Sequence, residues 1–111
     1  MRVSIAELLH KVKPCGKIGE YLYQQLVDFN HSMKHPAWPK GEMWSLGDSP
    51  AISLLLDDHE YGYEYKPAPR ITPDMYYVHD QTERKIRVYH YVDPRFTLED
   101  MFAKLALNYG K

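Results

Sequence analysis

The amino-acid sequence predicts an α/β fragment: helices around a small sheet of two or three strands, too few strands to close a domain of their own. Two periodicities and one ordering carry that prediction. Ile18, Tyr21, Leu22, Leu26, Phe29 and Met33 recur at the spacing of a single helix face. Tyr61, Tyr63 and Tyr65, and later Ile86, Val88, His90 and Val92, alternate with the two-residue period of strands. The order helix, helix, loop, helix, strands, helix leaves a long tyrosine-rich hairpin that is hard to bury on two faces. Such an order suits a piece of a larger α/β domain. Residues 1–111 read as a single segment, with no internal repeat and no low-complexity linker.

Ser4 stands where it would cap a first short helix, and Glu7 three residues later completes a capping box. Leu8, Leu9 and Val12 form that helix's apolar side; Pro14 and Gly16 end it. The second helix is predicted from about Lys17 to Met33, stopped by Pro36 and Pro39, with a Pro-, Gly- and Trp-rich loop following through Met43. Asp48, Ser49 and Pro50 read as a helix start, since Pro fits the first turn and Asp or Ser caps it. Ile52, Leu55 and Leu56 would give this helix a buried side, with Asp57 and Asp58 at its wet end.

The strand of alternating tyrosines comes next, broken by Pro67 and Pro69 before Arg70. Met75 to His79 is a second strand candidate and Asp80 to Arg84 a polar turn. Ile86 to Val92 is the clearest strand, ended by Asp93-Pro94. Thr97 is expected to cap the last helix, with Asp100 at the capping-box position. Leu98, Met101, Phe102, Leu105 and Tyr109 form its apolar face, and Gly110 closes it.

Composition narrows the function classes. Hydrophobic residues make up 44% of the chain, enough for a core and too many for general disorder. Fourteen Lys and Arg are mixed with fifteen Asp and Glu for a net charge of -1, which leaves no footprint for nucleic acid or an acidic membrane surface. Ten tyrosines supply apolar surface with a polar tip, as at an interface or in outer strands. Cys15 is the only cysteine, so an intrachain disulfide and a thiolate zinc cluster are both excluded. One unpaired thiol fits a reducing cytoplasm. Glu7 interrupts the stretch where a secretory signal needs apolar residues, and no apolar run approaches the roughly 20 residues of a membrane span. A soluble, cytoplasmic protein is expected.

The stretch Trp44-Ser45-Leu46-Gly47-Asp48-Ser49-Pro50-Ala51 resembles a late motif of the inosine/uridine-preferring nucleoside hydrolases, or nucleoside N-ribohydrolases. In that family a Leu-His-Asp-Pro-like sequence opens a helix. Leu46, Gly47 and Asp48 look like it, with Gly in place of His and Ser49 before the Pro, as in a divergent Gly-Asp-Ser branch. The tail, Ile86 to Tyr89 and then Asp93 to Leu105, is similar to the family's as well. So is the helix pair within Ala6 to Leu26. The likeness spans nearly the whole chain but corresponds to about the last third of a family member.

The resemblance implies the C-terminal part of a nucleoside-hydrolase-like domain, a family that hydrolyses the N-glycosidic bond of ribonucleosides. It implies that Asp48 is a calcium-ligand position, since the family's late aspartate joins N-terminal aspartates around a calcium ion that carries water and the ribose 2′- and 3′-hydroxyls. Those aspartates belong to an Asp-x-Asp-Pro-Gly-x-Asp-Asp signature, and nothing like it occurs in this sequence. Calcium takes about 6 to 8 oxygen ligands. Cleavage through an oxocarbenium-like state also needs a carboxylate to activate water. Asp48 alone can do neither, so no catalytic residue is assigned. Calcium and a nucleoside substrate are expected only with a complementing N-terminal chain. Gly47 cannot transfer a proton, so a different acid or a better leaving group would have to replace the family's His.

Two functions stay open on this reading. One is a truncated or split nucleoside hydrolase, inactive alone. The other is a non-enzymatic binding or assembly module that self-associates as a homo-oligomer to cover an exposed apolar patch. An unrelated small α+β domain is a third.

Other polar residues have plain readings beside sharper ones. Asp48 can serve as a simple N-cap. His31 and His35 share a helix face at a spacing zinc sites use, but no third ligand lies at diagnostic spacing. His10, His59, His79 and His90 read as surface or strand residues. Asp57, Asp58 and Glu60 read as a solvated helix end, and Glu99-Asp100 as helix-start electrostatics. Trp38 and Trp44 pack against a neighbouring element or stack on a nucleobase. Arg70 pairs with Asp74 or covers apolar surface. Cys15 lacks the His partner a catalytic thiol would want.

Overall fold

In the computed structural model, residues 1–38, 41–56 and 61–110 are described. The chain opens on a strand that three residues are too few to announce. β1 (Arg2–Ser4) pairs antiparallel with β2 (Met43–Ser45), setting Val3 opposite Trp44, both nearly inaccessible to solvent. Ser4 then caps α1 (Ile5–Lys11) as predicted, its Oγ accepting from the Glu7 N–H at 3.0 Å. Lys11 Nζ lies 3.0 Å from Glu7 and 3.1 Å from Glu99. Hydrogen bonds to these two carboxylates, Glu7 first, hold the ammonium above its usual pKa.

α2 (Gly16–Ser32) matches the predicted second helix within a residue at each end. Gly16 opens it at φ +63°, a left-handed conformation that a side chain resists. The core forms where this corner meets α4 (Pro94–Tyr109): Leu8, Val12 and Cys15 pack with Leu98, Phe102 and Leu105, and Val3 completes the cluster. The apolar face predicted for the last helix is therefore correct at Leu98, Phe102 and Leu105, with Met101 partly buried and Tyr109 half exposed.

One apolar face stands uncovered and two local expectations are overturned. The stripe on α2 is mostly uncovered: Ile18, Tyr21, Leu22 and Phe29 are between 41% and 58% exposed, and only Tyr23 and Leu26 lean on the core. The predicted helix after Asp48 shrinks to the four-residue α3 (Pro50–Ser53), and the residues meant to be its buried side, Ile52, Leu55 and Leu56, face solvent. Ser53 is the residue turned inward. In α4 the cap is Asp93, not Thr97. Its carboxylate accepts from the N–H groups of Arg95 and Phe96 at 2.9 and 3.1 Å, and Pro94 occupies the first turn. Thr97 is one turn inside and buried. Replacing Asp93 with Ala should cost about 1 kcal/mol of stability in a urea titration, as loss of an N-cap does.

Among the described residues the strands form three separate antiparallel pairs instead of one small sheet. β3 (Tyr61–Pro67) runs against β6 (Lys85–Val92), with a bulge between Gly62 and Tyr63. Their connection carries the short pair β4 (Arg70–Ile71) and β5 (Tyr77–Val78). The Ala68 N–H donates to the Arg84 carbonyl at 2.7 Å, so the pairing continues past Pro67. A mixed helix-and-strand class is borne out. The hairpin projects as an arm: the molecule extends 52 × 37 × 20 Å with a radius of gyration of 17.6 Å. A compact chain of this length would have about 13 Å. The readings of Pro39, Asp57, Asp58, His59 and Glu60 fall outside the described residues. Among the described residues no helix is long and apolar enough to cross a membrane.

Candidate functional site

Asp48 lies in the link from β2 to α3. The Leu46 N–H donates to the Met1 carbonyl at 2.9 Å, extending the β1–β2 ladder by one bond before the chain turns away at Gly47. Ser49 then enters helical geometry, and the Asp48 carbonyl accepts from the Ala51 N–H at 3.1 Å. No side chain caps α3, so the expected capping by Asp48 or Ser49 is not made. The Asp48 side chain is exposed. Space around Gly47 is open, since a Cβ there would meet nothing within 4 Å. Packing therefore does not demand glycine at position 47.

The ligand set around Asp48 is short of what a calcium ion needs. Among the described residues no group of three or more His, Cys, Asp or Glu side chains converges anywhere. One exposed carboxylate supplies too few of the ion's oxygens, so the described residues do not by themselves make a calcium site. His31 and His35 are both exposed, and His35 Nδ1 accepts from the Ala37 N–H at 3.2 Å.

Beside this loop lies an apolar cleft of about 670 Å³ between α2, the first corner and α4. Leu22, Leu26, Phe29, Leu46, Met101 and Leu105 form its walls, and Ser49 lines its edge next to Asp48. Periodicity marked Leu22, Leu26, Phe29, Met101 and Leu105 as apolar helix faces without saying what covers them. The length of the α2 stripe was the available signal, because few partners of matching length exist in so short a chain.

On the far side of α3, Ser53, Tyr61 and Thr97 bring three buried hydroxyls together. Ser53 Oγ and Tyr61 Oη each lie 2.9 Å from Thr97 Oγ1, and Ser53 Oγ also contacts Tyr61 Oη. Further bonds run from Ser53 to the Pro50 carbonyl at 2.9 Å and from Thr97 to the Asp93 carbonyl at 3.2 Å. This cluster ties α3, the root of the arm and α4. No base adjoins it among the described residues, so it is a fastening and not a nucleophile.

The remaining residues take structural places. Trp38 donates to Asn30 Oδ1 at 2.9 Å and meets the Phe29 ring edge-on at 5.7 Å. Trp44 is buried, with no hydrogen-bond acceptor for its Nε1 among the described residues. Packing thus accounts for both tryptophans. Arg70 pairs with Asp80 and not Asp74, Nε to Oδ2 at 2.5 Å. Glu99 and Asp100 serve Lys11 and Lys104 at 3.1 and 2.8 Å. Cys15 is buried, and its Sγ donates to the Lys11 carbonyl at 3.2 Å. On the arm, Arg87 donates to the Tyr89 and Tyr65 hydroxyls, both at 3.1 Å, and lies 4.5 Å over the Tyr63 ring. The hydroxyl acceptors, Tyr89 first, raise its pKa further and keep it charged. His79 lies just past β5 and His90 on β6, and these two strands do not pair with each other.

No protein-family model matches the chain, and no curated protein or solved structure is significantly similar to it.

Proposed function

We propose that the chain is the C-terminal part of a nucleoside-hydrolase-like unit, inactive by itself. A complementing segment, on this polypeptide or another, would supply the aspartates it lacks. One observation carries the reading: the uncovered apolar cleft borders Ser49, so a body seated there arrives beside the Asp48 carboxylate. An apolar opening of this size next to an exposed carboxylate is what a divided site would leave. The chain's own contribution would be that carboxylate and the surface that receives the partner. Calcium binding and N-glycosidic hydrolysis would both depend on the partner's carboxylates. A reducing, cytoplasmic setting suits the single unpaired thiol.

The test is co-expression with a polypeptide carrying Asp-x-Asp-Pro-Gly-x-Asp-Asp. The two pieces should co-purify and release base from a ribonucleoside, and chelation should abolish that release. Asp48→Ala should lower the complemented rate by about 100-fold or more, at least what loss of a supporting group around a metal costs, without preventing association. Hydrolysis by the chain alone at an enzyme-like rate would refute the reading. So would pieces that neither associate nor cleave.

A further inference from the structure

The chain exposes more surface than a monomer of its mass should. Its accessible area is 8580 Å² for 13.1 kDa, whereas folded monomers of that mass expose about 6,400 Å². The surplus of roughly 2,200 Å² is well above the 800 Å² or so that each partner contributes to a standard interface. Part of it belongs to the projecting arm. The apolar part nearest the body is the cleft and the outer side of α3.

Those two features are complementary and adjacent. The cleft is concave and apolar, and Ser49 forms its edge. Pro50, the next residue, begins α3, and its Ile52, with Leu55 and Leu56 in the turn that follows, is exposed: 71%, 86% and 49% in that order. Ser53 is held inward by Tyr61 and Thr97, so α3 cannot roll to bury these side chains in its own molecule. A knob beside a hole on one surface makes a patch that a twofold axis can close, because each copy then offers both to the other. A net charge of -1 gives two copies little mutual repulsion.

We propose that two copies of the chain pair about a twofold axis, each seating Ile52 of α3 and Leu55 and Leu56 of the following turn in the other's cleft against Leu22, Leu26 and Phe29. The pairing needs no metal, substrate or second polypeptide; it fills the cleft assigned above to a complementing segment, so it describes the chain alone, and the two occupants exclude each other.

Sedimentation of the chain alone from about 1 to 100 μM, a range that reports micromolar affinities, should give the dimer mass at the upper end. Leu55→Glu changes a residue exposed in the monomer, so circular dichroism should stay unchanged. The dimer should weaken by about 100-fold or more, as for a central interface residue. Leu22→Glu, on the cleft side, should do the same. Tyr76→Glu, on the exposed arm, should leave the dimer intact. A folded monomer at about 100 μM, a dimer indifferent to both leucine variants, or open-ended growth past two copies would overturn the proposal.

Discussion

Phe102→Ala is expected to lower the unfolding free energy by about 3–5 kcal/mol, the range for truncating a buried aromatic residue. Phe102 is 5% exposed and belongs to a cluster of seven buried residues among those described. Around it, α1, α4 and the chain near Cys15 meet, and the Lys11 ammonium lies 4.9 Å from the ring centroid. Truncation would remove the ring's packing and that cation–π contact together. Small domains have about 5–15 kcal/mol in all, and much of this chain's apolar surface is uncovered. The variant should lose a cooperative thermal transition or show a sharply lower Tm. Phe102→Leu, which keeps most of the volume, should fall between it and the parent. Near-parental stability for the alanine variant would mean that this cluster is not the core.

Gly19→Ala should cost about 1–3 kcal/mol or more, the scale of overpacking in a close-packed interior. The second turn of α2 runs against the end of α1 here, and a Cβ on Gly19 would overlap the Val12 carbonyl oxygen and lie 3.0 Å from Cys15 Cβ. That carbonyl is not free to move, because it accepts the Cys15 N–H at 2.9 Å, one of the bonds holding the corner. Ordinarily Ala stabilises a helix relative to Gly by about 1 kcal/mol. A denaturant titration therefore tests sign as well as size, and a stabilised variant would mean that the corner is looser than described.

Helix boundaries were legible wherever local chemistry decides them. Ser4 with Glu7, the stripe from Ile18 onward and the Leu98–Phe102–Leu105 face each act within a few residues, and each element formed where expected. Misreadings came from choices settled by distant neighbours. Asp93-Pro94 and Ser49-Pro50 both spell a helix start, yet only the first leads into a long helix, because α4 has a core to lie on. Thr97 looked like a cap, and its hydroxyl was instead recruited by Ser53 and Tyr61 from 44 and 36 residues away. β1 and β2, three residues each, have no period to detect. At the candidate site, the placement of Asp48 before a short helix was readable. The cleft beside it was not, because periodicity says which residues are apolar and not whether anything covers them.

Proton counting has a consequence for the fastening of Ser53, Tyr61 and Thr97. Three hydroxyls bring three hydrogens, yet the oxygens make five close approaches, two of them to the Pro50 and Asp93 carbonyls. No arrangement can fill all five at once, so at least two of these approaches carry no hydrogen at any moment. A joint of this kind yields without letting go. When one segment shifts, the hydrogen that loses its acceptor has another within reach.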